Sequence, residues 1–209
     1  MKAYIVTYCT PSSVGSILQS LALKRALSRL EINSAVLQLG DRKPYSIDAP
    51  KTIKELYHFP VKCIRHRKFV SGFDKCCGFM DKYLDFMCFN NYDELSKNCP
   101  SDGVFIAGSD QIWNPALSNE QLKFFFLEFC GENKKVSYAA SMGKENIPRE
   151  LEESYRRRLD SFDYISVRES EAKRSLTPMT NKKIEINPDP VFFLTADEWR
   201  AYEQPYPLK

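Results

Sequence analysis

The chain has 209 residues, of which 43% are hydrophobic and 13% aromatic. That is enough apolar material for one large α/β domain or two small ones, and it excludes a disordered chain. Lysine and arginine (30) nearly balance aspartate and glutamate (27), for a net charge of +3, so the totals call for no nucleic acid partner.

Lys2 to Tyr8 is β-branched and aromatic and predicts an opening strand. The uncharged run after Lys2 is interrupted by Thr7, Tyr8, Pro11, Ser12, Ser13, Gly15 and Gln19, too polar for a signal peptide or a membrane span. A cytoplasmic protein is therefore expected. Thr10-Pro11-Ser12-Ser13 is turn chemistry with N-cap candidates. From Val14 to Leu30 the apolar residues take helical spacing, and Ser34 to Leu39 reads as a second strand closed by Gly40. Residues 41–60, polar and proline-dotted, read as a connector.

Val61 to Phe89 reads as one or two amphipathic helices, with a stripe of Phe69, Phe73, Phe79, Met80, Tyr83, Leu84 and Met87. Within it, Arg65-His66-Arg67-Lys68 reads as a solvated helix face, or as a contact for phosphate or anionic lipid; the same two readings apply to Arg156-Arg157-Arg158. Gly103 to Ala107, Lys135 to Ala140, Tyr164 to Val167 and Lys183 to Ile186 are further strands. Pro148 opens a charged helix running to about Ser161, Thr195 caps a last helix, and Pro205-Tyr206-Pro207 breaks structure. Strands alternating with helices predict an α/β, Rossmann-like, doubly wound and mainly parallel sheet. Seven cysteines, an odd number, lack zinc spacing, and only two histidines accompany them. Reduced thiols and no metal site are expected.

Ligands of open parallel sheets bind beyond the carboxyl ends of the strands, which selects four segments. Thr10 to Ser16, around Gly15, opens a helix whose free N–H groups can meet an anion, or is an ordinary βα turn capped by Ser12 or Ser13. Gly108-Ser109-Asp110-Gln111 carries a carboxylate able to take a proton, or to cap a helix. Ala139 to Gly143, with Ser141, is small enough for close approach, whether by a ligand or by a packed helix. Arg168-Glu169 offers a guanidinium fork, or a structural ion pair. No glycine-rich dinucleotide motif or P-loop occurs, and His58 and His66 are not at strand ends.

At these strand ends the sequence resembles the polysaccharide pyruvyl transferase family. The resemblance rests on Gly15-Ser16-Ile17-Leu18-Gln19, on Ala107-Gly108-Ser109-Asp110-Gln111-Ile112-Trp113-Asn114 (the most specific piece), and on Lys135 to Gly143. It continues with Ile165 to Glu169 and with Pro188 to Trp199. It implies an enzyme of two Rossmann-like lobes, similar to GT-B glycosyltransferases, with its cleft between them. The reaction it implies passes pyruvate from phosphoenolpyruvate to hydroxyls of a cell-surface or exported glycan as a ketal. Phosphoenolpyruvate is then a donor substrate, and no cofactor is expected. The partners implied are a glycan or lipid-linked saccharide acceptor and, at the periphery, a membrane.

By the same resemblance Asp110 is the base toward the acceptor, Arg168 binds the donor, and Ser109, Gln111, Asn114, Ser141, Gly15 and Ser16 line the site. The family's first turn carries Asn-Tyr-Gly or Asn-x-Gly-Asp, where this chain has Ser13-Val14-Gly15-Ser16. Its second lobe carries Asp-Ser-Phe-His-Gly, which these residues do not include. Residues 1–194 are thus expected to form the first lobe, and residues 195–209 the start of a connector to a second lobe or partner chain. The rival expectations are a non-catalytic domain that pairs with a partner, and a sugar-nucleotide glycosyltransferase lobe.

Overall fold

In the computed structural model, which describes residues 1–44 and 46–203, the opening run forms β1 (Lys2–Val6). Ser13 caps α1 (Val14–Arg29), its side chain accepting from the Ser16 N–H. The chain returns as β2 (Asn33–Leu39), parallel to β1 with Lys2 opposite Asn33 and Ile5 opposite Val36.

The expected connector ends earlier than its prolines indicate. Helix α2 (Ile53–Tyr83) begins behind an N-cap at Thr52 and runs through Pro60. The Glu55 N–H donates to Thr52 Oγ1 and the Lys51 N–H donates to Glu55 Oε2, so the helix is capped and begins ahead of the proline. The expected helical stretch to Phe89 also divides. Leu84 ends α2, and Phe86–Phe89 is a strand, β3, paired with β2. Helix α3 (Tyr92–Lys97) follows, unassigned from sequence.

Strand β4 (Gly103–Ala107) pairs with the other edge of β1, Lys2 opposite Gly103 and Val6 opposite Ala107. Helix α4 (Asn119–Phe125), also unassigned from sequence, begins with a capping box of Ser118 and Gln121. Strand β5 (Lys134–Ser137) stops short of the expected Ala140, because Ala139 takes a left-handed backbone with φ of 51°. Helix α5 (Arg149–Asp160), β6 (Ile165–Val167), α6 (Ser170–Leu176), β7 (Ile184–Ile186) and α7 (Ala196–Arg200) complete the chain. The expected break at Pro205-Tyr206-Pro207 lies outside the described residues.

Five parallel strands in the order β3-β2-β1-β4-β5 form the sheet, and β6-β7 is a parallel pair. Two serines join that pair to β5 where the ladder is broken. Ser137 Oγ donates to the Ser166 carbonyl and accepts from its N–H, while Ser166 Oγ donates to the Ser137 carbonyl and accepts from the Ala139 N–H. The strand order reverses between β1 and β4, so their carboxyl ends diverge and leave a crevice.

Alternation along β1 feeds both faces of the sheet. Ala3 and Ile5 pack with Leu23, Leu27, Val36 and Ile106, while Tyr4 and Val6 belong to the larger cluster with Phe105 and Ala107. That cluster contains Trp113, stacked on Phe126 at 4.8 Å. Arg158 is only 2% exposed, so the Arg156-Arg157-Arg158 run is not one solvated face. Its guanidinium meets Glu128 Oε1 at 2.6 Å, Ser154 Oγ at 2.6 Å and Asn119 Oδ1 at 2.8 Å.

Residues 195–203, expected to begin a connector, pack back on the domain. Trp199 and Tyr202 adjoin Ile17, Leu21 and Met80, Arg29 donates to the Phe193 carbonyl, and Arg25 donates to the Tyr202 hydroxyl. Among the described residues no helix is long and apolar enough to cross a membrane.

Candidate active site at the strand-order reversal

The crevice is built from below by close contact of β1 with β4. Gly108 donates to the Val6 carbonyl at 2.9 Å, and a Cβ on Gly108 would sit 3.0 Å from Thr7 Cβ, so a larger residue would push the strand ends apart. Thr7 Oγ1 donates to the Ser109 carbonyl. Buried Gln19, from α1, donates to Thr7 Oγ1 at 3.1 Å and to the Tyr8 carbonyl at 3.0 Å. The turn after β1 is thereby tied to the turn after β4.

Asp110 leaves β4 with φ of 95°, a conformation that costs a non-glycine residue about 1–3 kcal/mol and that clusters at functional sites. Neighbouring strands hold it there. Its carbonyl accepts from Ser141 N at 2.9 Å and Ile112 N at 2.8 Å, and its Oδ1 accepts from Gln111 N at 2.7 Å. Oδ2 has no hydrogen-bond partner among the described residues. Tyr8 lies close enough that burial first, and the Asp110 charge second, push its phenol pKa upward. Beside Tyr8 a 300 Å³ crevice runs between Thr7, Leu39, Glu120, Gln121 and Phe125.

The other predicted residues divide into two groups. Ser109 is fully buried and donates to Asp189 Oδ2 at 3.1 Å, and Arg168 joins the same carboxylate at 2.9 Å while its Nε meets Glu169 Oε1 at 2.9 Å. Burial works against the Arg168 charge, but Glu169 and Asp189 outweigh it and raise the guanidinium pKa. The ion pair read from sequence is therefore present, and it is one side of a clamp from β7 and β6 to the Asp110 turn. Arg168 keeps 31% of its side chain exposed.

Gln111, Asn114, Ser141 and Ser16 serve mainly their own turns. Gln111 accepts from Asn114 Nδ2 at 3.3 Å, Asn114 accepts from Ala116 N at 2.9 Å, and buried Ser141 accepts from Gly143 N at 3.3 Å. Ser16 Oγ donates to the Ser13 carbonyl at 2.8 Å, and Gly15 is exposed with open space around it. At Gly143, φ is 61° and a Cβ would collide with the Gln111 side chain. Sequence reasoning missed Tyr8, Gln19 and Asp189 as site members. Only the Pro188-Asp189-Pro190 turn gave a signal, since an aspartate before proline stops a chain and offers its carboxylate locally.

The free cysteines differ in reactivity. Burial pushes the Cys9 thiol up to about 11 and Cys130 to about 12, while Cys88 is exposed. Because the thiolate is the nucleophile, an aromatic disulfide reagent at pH 8 is expected to label Cys88 first, and Cys130 only on unfolding. Mass mapping that finds Cys130 modified as fast as Cys88 would contradict this order. Among the described residues no three His, Cys, Asp or Glu side chains gather as a metal site.

A five-stranded parallel sheet whose order reverses at β1 and β4, flanked by helices, is a Rossmann-like α/β fold. The family model for polysaccharide pyruvyl transferases matches residues 14–208, nearly the whole chain. The chain belongs to that family. No curated protein and no solved structure matches it.

Proposed function

We propose that the protein serves cytoplasmic pyruvyl transfer from phosphoenolpyruvate to hydroxyls of a cell-surface or exported glycan, with this unit holding the acceptor. The observation that carries the reading is Asp110, a carboxylate held at a left-handed strand end where the sheet order reverses, with Oδ2 unbonded among the described residues. In the reaction, one acceptor hydroxyl adds to C2 of the donor as C3 takes a proton, and a second hydroxyl displaces phosphate to close the ketal. Asp110 takes the proton of the attacking hydroxyl. Gln19, Thr7 and the Asp189–Arg168 clamp position the turn that carries it. A second lobe or partner chain completes the donor side, so this chain by itself is expected to release no phosphate from phosphoenolpyruvate, whatever glycan is offered. Robust acceptor-dependent release by the purified chain would overturn the half-site reading.

Arg168 faces the donor in this scheme, its side chain still 31% exposed while it meets two carboxylates. A planar fork meets a phosphate or carboxylate with two parallel bonds, which lysine does not reproduce. In the complete protein, Arg168→Lys is expected to raise the KM for phosphoenolpyruvate at least tenfold, with a melting temperature almost unchanged, because partly exposed ion pairs contribute about 0–1 kcal/mol. A lower melting temperature with unaltered donor kinetics would make Arg168 a structural clamp only.

A further inference from the structure

Helix α2 presents two faces of different character. Phe59, Cys63, His66, Val70 and Phe73 recur every three or four residues and are half-buried or buried. The opposite face carries Tyr57, Val61 and Ile64, exposed by 83%, 51% and 60%. The spacing of these three residues, four and then three, puts them in one stripe along the helix.

Basic residues surround that stripe. Between Ile53 and Lys75 the helix has six lysines and arginines (Lys54, Lys62, Arg65, Arg67, Lys68 and Lys75) against Glu55 and Asp74. Six positive charges less two negative ones leave +4 on this one segment, more than the +3 of the whole chain. None of the six forms an ion pair among the described residues, although lysines and arginines elsewhere do. The chain thus concentrates its excess positive charge, unneutralised, around three solvent-facing apolar side chains.

We infer that this face of α2 docks on an anionic lipid bilayer, with Tyr57, Val61 and Ile64 entering the headgroup boundary and the six basic residues meeting acidic headgroups. Charge complementarity selects an anionic surface, and the apolar stripe at its centre selects a bilayer over a nucleic acid, which would engage the charges alone. The geometry also gives the contact a use. Phe69 and Phe73, on the inward face, line a 370 Å³ cavity with Cys9, Thr10 and Gln38 at the carboxyl ends of β1 and β2. Docking through α2 therefore brings the carboxyl ends of β1 and β2 to within one helix's thickness of the lipid surface. The docking stands independently of the pyruvyl-transfer reading.

Flotation of the 209-residue chain with vesicles tests it. At low salt the chain is expected to float with phosphatidylglycerol-containing vesicles, to stay behind with pure phosphatidylcholine, and to be released as salt rises. Neutralising Lys62, Arg65 and Lys68 to glutamine is expected to weaken partitioning about fivefold per charge. Changing Tyr57, Val61 and Ile64 to serine is expected to weaken it further at high salt, where charge is screened. All these side chains are exposed, so melting temperatures should not move. Equal flotation with both lipids, or flotation unaffected by both variants, overturns the inference. So does tight binding to duplex DNA that survives the serine changes while phosphatidylglycerol vesicles are ignored.

Discussion

Asp110→Asn is expected to lower turnover of the complete protein by about 10²–10⁴-fold, the usual consequence of losing a general base, while the melting temperature stays where it was. Two features separate this outcome from a folding defect. Asparagine tolerates a positive φ as well as any residue but glycine, so the backbone at φ of 95° is preserved. Its amide oxygen can still accept from the Gln111 N–H, as Asp110 Oδ1 does. Glycine makes a sharper test. Asp110→Gly relieves the left-handed strain and is expected to hold or raise the melting temperature while turnover is lost. Strain retained at a residue whose removal stabilises the fold is what a functional carboxylate predicts. Near-normal turnover in the asparagine variant would reduce Asp110 to a turn cap.

The largest effect on stability is expected at Arg158. Its guanidinium is buried among Glu128, Ser154 and Asn119 and lies 5.5 Å from the Phe126 ring centroid. Truncating it to alanine leaves Glu128 facing a cavity, and breaking a buried pair from one side costs about 3–5 kcal/mol. Glu128 retains some solvent contact, which places the loss near the lower figure, about 3 kcal/mol. For a chain of this size that corresponds to a fall of about 6–12 °C in Tm. Arg158→Met with Glu128→Gln, which fills the space and removes the stranded charge, is expected to recover much of the loss. A Tm within a degree or two of the parent for Arg158→Ala would show that the pair is solvated in solution.

Patterns that are local were legible in the sequence, and those that depend on tertiary pairing were not. The β-branched and aromatic run of Lys2–Val6, the serine cap of α1 and the capping box at Thr195 each act within a few residues, and each appears where the sequence predicts it. Strand β3 was hidden because Phe86-Met87-Cys88-Phe89 follows the helix with only Leu84 and Asp85, and no glycine or proline, between them. Four apolar residues fit either period until β2 supplies an edge to pair with. The start of α2 was hidden by Pro60, although Thr52-x-x-Glu55 is a capping signature and outweighed it.

The site divides the same way. The strand-end position of Asp110 was legible, as one of four such segments, but its role as base came only with the family resemblance. Tyr8, Gln19 and Asp189 enter only because β1, α1 and β7 converge on that turn, which the spacing of residues in one chain does not reveal. Arg158 shows the opposite failure. Three consecutive arginines look like one surface, but a helix turns them in different directions, and the third faces the core.

The measurement that bears most directly on the account follows carbon from labelled phosphoenolpyruvate into product. The chain, alone and together with the proposed donor-side lobe or partner chain, is incubated with a panel of acceptor saccharides, and ketal methyl carbon and free phosphate are read together by NMR. The expected result is one ketal per phosphate released, dependent on acceptor, absent with this chain alone and abolished by Asp110→Asn. Acceptor-independent phosphate release, or ketal formation that Asp110→Asn leaves untouched, would contradict a reaction based on the Asp110 carboxylate.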